Sequence, residues 1–191
     1  MRISKPPEVR KQEIIDTAMK LFYKKGYEAT SMADIAKEMN VVQGLCYRYF
    51  ASKQELFETA MDQYVRECCS AFVAAIHDRS RTLDERMNLM CKLTQNQDSI
   101  SKYHDFYHKE GNEALHEQLT LNICKYLVPH IKEELQVLCD KGEIELENAD
   151  ITASFIMYGQ IGIMQDNSMD IKDRVDYMRN IIRQILYGEI I

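Results

Sequence analysis

Apolar positions along the first 60 residues recur at spacings of three and four, in short runs divided by turn signals. Ile14, Ile15, Ala18, Met19 and Phe22 form one stripe, which predicts a helix from about Glu8 to Lys25 ended by Gly26. Ser31 can cap a second helix while Asp34 reaches back to its free amide, and Ile35, Ala36 and Met39 repeat behind them. Asn40 can adopt the left-handed conformation that ends a helix, so a short turn throws the next helix, Gln43 to about Tyr49, across the second. Ser52 and Glu55 repeat the S-x-x-E pattern and open a long helix through Leu56, Phe57, Ala60, Met61, Tyr64, Val65, Cys68 and Phe72.

The same periodicity continues to the end. It predicts helices at about Leu83 to Gln95, Ser101 to Lys109, Asn112 to Asp140, Asp150 to Gln165 and Asp170 to Tyr187. With seven Gly and three Pro in 191 residues there is little of the turn punctuation an all-β chain needs, so the fold class is all-α. In the last helix Ile171, Val175, Met178, Ile182 and Ile185 recur at 4, 3, 4, 3, the seam of a helix packed against others. The preceding helix carries Ile151, Phe155, Tyr158 and Gly162 at similar spacing, with small residues between them that permit close approach.

Charge sharpens this picture. The net charge is −6, but residues 1–55 hold ten Lys or Arg against seven Asp or Glu, leaving a net −9 for the rest. A basic head on an acidic body suits a protein whose head meets phosphate. The most apolar stretch, SFIMYGQIGIM at 154–164, falls short of the roughly 20 residues a membrane span needs, which predicts a cytoplasmic protein with no membrane partner. The six cysteines include no C-x-x-C pair and lie among helical apolar residues, where reduced thiols act as small hydrophobes. No cofactor is implied.

Two short helices around Asn40, followed by an aromatic cluster and a capped third helix, are the pattern of a helix-turn-helix DNA reader. Base reading falls to Gln43, Gly44 and Leu45 in the first turn of the second helix, with Arg48 one turn on. Gln can pair with adenine N6 and N7, Leu45 can meet a thymine methyl, and Gly44 allows backbone to approach the duplex. Phosphate contacts need donors nearby: Lys53 and the Tyr47 hydroxyl are the best placed, with Thr30 and Ser31 at a helix start. Tyr27, Tyr49 and Phe50 are expected to close the small domain's core.

These same residues resemble the tetracycline-repressor (TetR) family of bacterial transcription regulators. The resemblance is carried by GYEATSMADIA, QGLCYRYF and SKQEL, following a first helix EVRKQEIIDTAMKLFYKKG, and it covers roughly the first 60 residues. It implies an N-terminal three-helix helix-turn-helix DNA-binding domain at 1–55 and a larger helical ligand-binding and dimerisation domain at 56–191. It also implies a double-stranded DNA operator, a homodimer made by two helices from each subunit, and a small-molecule effector of unknown identity. Two positions depart from the family pattern: Val42 stands where a Ser or Thr cap is usual, and Cys46 replaces a larger aliphatic residue.

A dimer is expected on physical grounds as well, because one short helix reads too few base pairs. Phe155, Tyr158, Gly162, Val175, Met178, Ile182 and Ile185 are the expected interface. Tyr64, Phe72, Met87, Met90, Tyr103, Phe106, Tyr107 and Tyr126 lie on segments that could surround a sensor cavity, although most are expected to be core. His104 and His108 sit at i, i+4 with Asp105 and His116 nearby, but without a further fixed ligand no metal site is assigned. The alternative function is an all-α metal-binding or interaction protein that uses the helix-turn-helix for packing alone. No nucleophile with its base, phosphate loop or paired-carboxylate site marks an enzyme.

Overall fold

Every regular element in the computed structural model, which describes residues 5–95, 103–107, 109–166 and 168–188, is an α-helix. They are α1 (Pro7–Lys25), α2 (Met32–Glu38), α3 (Gln43–Tyr49), α4 (Lys53–His77), α5 (Leu83–Gln95), α6 (His104–Tyr107), α7 (Glu113–Asp140), α8 (Ala149–Gln165) and α9 (Ile171–Tyr187). None of these helices is long and apolar enough to cross a membrane.

Local chemistry explains where the helices begin and end. Gly26 takes φ +88°, which costs a residue without Cβ nothing, and closes α1 by donating its N–H to Phe22 O. At α2, Ser31 Oγ accepts from the Asp34 amide at 3.1 Å while the Asp34 carboxylate accepts from the Ser31 amide at 2.9 Å, a complete capping box. The Ser31 hydroxyl and amide donors hold the Asp34 carboxyl below its usual range. Asn40 sits at φ +54°, the left-handed turn the sequence predicts. Val42 offers no side-chain cap, so α3 begins without one. At α4 the pattern is shifted. Ser52 Oγ accepts from the Glu55 amide, but the Glu55 carboxylate reaches the amide of Ala51, one residue before the position a capping box uses.

The chain divides into two compact units: Met1–Tyr64 with Ser101–His116, and Val65–Ile100 with Glu117–Ile191. The first unit is built on Ile14, Ile15, Ala18, Met19 and Phe22 of α1, Ile35 of α2, Cys46 of α3 and Leu56, Ala60 and Met61 of α4, all buried. Its aromatic rings form a cluster: Tyr27 packs on Phe22 and Phe57 at 5.1 and 5.0 Å between centroids, and Phe106 packs on both phenylalanines. Tyr107 continues the cluster to Tyr64 at 4.7 Å. A polar seam lies beside it, where Tyr103 Oη donates to Asp16 Oδ1 at 2.6 Å and Gln12 joins the same carboxylate at 2.8 Å.

In the second unit, Met87, Leu135, Leu138, Ile144, Ala149, Ala153, Ile156 and Leu186 make the principal core, with Met90 packed against it. The 4, 3, 4, 3 seam of α9 belongs to this unit's own interior. Val175 and Met178 are buried against Cys91, Ile182 packs on both clusters, and Ile185 packs on the principal core. Phe155 and Tyr158 of α8 remain exposed, as do Gly162 of α8 and Tyr177 and Ile181 of α9. The reason is geometric: a helix seam needs an apolar partner, and α5, α7 and α8 already supply one within the chain.

Candidate nucleic-acid interface

Helix α3 is anchored on one side and open on the other. Cys46 is fully buried and Phe50, just past the helix end, nearly so, fixing the helix to the core of the first unit. Burial pushes the Cys46 thiol up, so it remains a neutral, hydrophobic anchor. Around the same helix, Gln43, Gly44, Tyr47 and Arg48 are exposed, while Leu45 and Tyr49 are half-buried. A Cβ added at Gly44 would meet nothing within 4 Å, so no neighbour in the chain demands a glycine there. The space is open to whatever docks on this face.

The phosphate donors expected from the sequence fall into different situations. Tyr47 is 48% exposed, on the open face of the helix. Thr30 is buried, its hydroxyl donating to Gly26 O at 2.8 Å and its amide to Tyr27 O at 3.2 Å, so both donors serve the turn before α2. Ser31 is exposed, but its hydroxyl is engaged with the Asp34 carboxylate at 2.6 Å. Lys53, in the first turn of α4, donates from Nζ to Tyr27 O at 2.8 Å and lies 4.1 Å from the centre of the Tyr27 ring. Sequence reasoning places Tyr27 in the core but misses this pairing, because 26 residues separate the partners and neither carries a local signal of the other.

The sensor candidates also separate. Tyr64, Tyr103, Phe106 and Tyr107 are buried in the aromatic cluster and polar seam of the first unit. In the second unit Met87 is core, Phe72 is half-buried, and the Tyr126 ring lies edge-on to His130 under the Arg66 guanidinium. His104 stands 3.6 Å from Asp105, and His108 lies outside the described residues. Among the described residues no cluster of three His, Cys, Asp or Glu could hold a metal ion.

A short helix pinned by its inner face, set across a capped partner and presenting Gln, Tyr and Arg outward, defines the helix-turn-helix class of DNA-binding proteins. Residues 14–60 match the family model described as bacterial regulatory proteins, tetR family. The negative transcriptional regulator IcaR of the icaADBC biofilm operon in Staphylococcus epidermidis is 26% identical over 190 residues, spanning 90% of this chain and 97% of that protein. The HTH-type transcriptional regulator YuxN of Bacillus subtilis is 32% identical over 101 residues, 53% of this chain but 34% of its own length. The crystal structure of a TetR-family transcriptional regulator from Pectobacterium atrosepticum superimposes with a TM-score of 0.61 at 18% identity, covering 96% of this chain and 97% of that one. Residues 14–60 thus match the tetR family, and the chain reads as a DNA-binding transcriptional regulator.

Proposed function

We propose that the protein is a homodimeric repressor that binds a pseudo-palindromic operator and is released from it by a small-molecule effector. The observation that carries this reading is the two-sided character of α3, buried at Cys46 and open at Gln43, Gly44, Tyr47 and Arg48. Gln43, Gly44, Leu45 and Arg48 would read base edges, and Tyr47 and Lys53 would hold phosphates. Ser31 would support a phosphate contact from its capped helix start, and Thr30 would fix the turn behind it. Repression is favoured by the likeness to IcaR, a negative regulator.

The dimer would form through the exposed stripe of α8, Ile151, Phe155, Tyr158 and Gly162, with Tyr177 and Ile181 of α9. Val175, Met178, Ile182 and Ile185 would contribute by holding α9 so that this face stays outward. Exposed aromatics and aliphatics of this size on two successive helices are the kind of patch that marks a protein–protein contact. Residues 1–55 would carry the DNA-binding function and residues 56–191 effector binding and dimerisation, in a cytoplasmic regulator rather than an enzyme.

The test is to purify the protein, recover the genomic fragments it retains, and titrate a recovered duplex and a random duplex across a salt series. Sequence-selective, salt-sensitive binding with two half-sites per protected region is expected. Equal affinity for both duplexes, or no binding at low salt, would overturn the reading.

A further inference from the structure

Lys53 and Tyr27 are joined twice. The ammonium donates to the Tyr27 carbonyl at 2.8 Å and lies 4.1 Å from the ring centre, well inside the range in which a cation is attracted by an aromatic face. The ring is itself held by Phe22 at 5.1 Å and Phe57 at 5.0 Å, which also pack on one another at 5.9 Å. Lys53 is therefore not a surface lysine sweeping through solvent. It is a half-buried side chain with one donor assigned and two N–H groups left for another acceptor.

We infer that Tyr27 is a positioning residue for DNA binding, which holds the Lys53 ammonium ready for a backbone phosphate before the duplex arrives. This rests on the proposed phosphate contact of Lys53. A free lysine loses rotamer freedom when it is ordered at an interface, and the cost subtracts from affinity. A lysine already ordered by a ring and a carbonyl has little left to lose. The ring's negative face also keeps the ammonium's charge at this spot without neutralising it, as a carboxylate would. Tyr27 itself touches no phosphate in this scheme, and its contribution passes through Lys53.

Positioning has a signature that a direct contact lacks. Salt dependence counts the phosphates neutralised, whereas preorganisation changes affinity at a fixed count. Affinity would be measured by anisotropy across a salt series, on a duplex selected with the wild-type protein and on a random duplex of equal length. Lys53→Ala should weaken binding to both and lower the slope of log K against log salt by about 0.9 per subunit. Tyr27→Leu should weaken binding to both by roughly three- to tenfold per subunit, keep the wild-type slope, and have no further effect in a Lys53→Ala background. Tyr27→Phe should bind like the wild type.

A Tyr27→Leu loss of the same size in the Lys53→Ala background would overturn the positioning role, leaving Tyr27 as core only. Unchanged affinity and slope for Lys53→Ala would overturn the phosphate contact itself and the inference with it. Should Tyr27→Leu fail to fold, phenylalanines carrying one, two and three fluorines at position 27 keep the ring's shape while draining its face of negative charge. A stepwise loss of affinity along that series supports the role, and a flat series overturns it.

Discussion

Arg86 donates from Nη1 to Glu134 Oε1 at 2.7 Å, and the two side chains are 4% and 6% exposed. The same guanidinium nitrogen also donates to Ile76 O at 2.7 Å, and Arg79 Nε reaches the other Glu134 oxygen at 3.1 Å. A buried carboxylate is costly unless it is paired in this way, so the cluster fixes α5 to α7 by a contact that tolerates little change. Burial alone would push the Glu134 carboxyl up, but the hydrogen bonds and charges of Arg86 and Arg79 outweigh it and hold the group below its usual range.

Removing the carboxylate should therefore strand a buried guanidinium. Glu134→Leu is expected to lower unfolding stability by about 3 to 5 kcal/mol, and Arg86→Leu combined with it should recover most of the loss, as replacing both members of a buried pair often does. Because the folded-state pKa is depressed, the contribution is present above the unfolded carboxyl value of about 4.3 and is lost as pH falls through the lower, folded value. Urea unfolding followed from pH 7 down to pH 3 should show wild-type stability dropping in that acid window. The double variant should show a shallower drop.

The outward and inward faces of the last two helices make opposite predictions. Phe155 is 63% exposed, so Phe155→Glu should leave the fold intact while opening the proposed dimer, read as a monomer in sedimentation with unchanged helical circular dichroism. Ile182 packs inside the chain, so Ile182→Glu should instead destabilise the second unit by several kcal/mol, read as a lower denaturant midpoint. A dimeric Phe155→Glu would send the interface to another face.

Gln43 stands exposed in the first turn of α3. If it pairs with a base edge, Gln43→Ala should cost roughly 1 to 3 kcal/mol per matched base and relax preference at one symmetric pair of operator positions. Binding-site selection with the variant checks this, and an unchanged logo would remove Gln43 from the reader.

Asn40 holds the turn between α2 and α3 at φ +54°. Asn40→Ala should destabilise the first unit by about 1 kcal/mol, since alanine lacks the short polar side chain whose local hydrogen bonding lets asparagine enter the left-handed region, while Asn40→Gly should be close to neutral. Thermal unfolding of the two variants separates a backbone effect from a lost side-chain contact.

Much of the first unit was legible in the sequence because its signals are local. Gly26, the Ser31 and Asp34 pair, Asn40 and Ser52 each act within four residues, and the structure places the helix boundaries where they point. What a periodic stripe does not state is which surface it meets. The seam from Ile171 to Ile185 can be read as a dimer face or as core, and its packing depends on distant residues, Met87 and Cys91 of α5 among them, together with others of α7 and α8. The ion cluster is hidden for the same reason. HIKEEL looks like the solvated face of a helix, and only the approach of Arg86, from 48 residues earlier, makes Glu134 a buried charge. Tyr27 under Lys53 and Tyr103 on Asp16 are long-range pairings of the same kind.

Helix α3 has seven residues, no side-chain cap at its start, and a cysteine as its buried foothold. A segment that short cannot stay helical in water by itself, so its shape is borrowed from the hydrophobic interior behind it. Enlarging or emptying the pocket around Cys46 would weaken DNA binding without altering any residue on the open face of α3. Loss of regulation in this protein can thus originate in residues that an interface map would never mark.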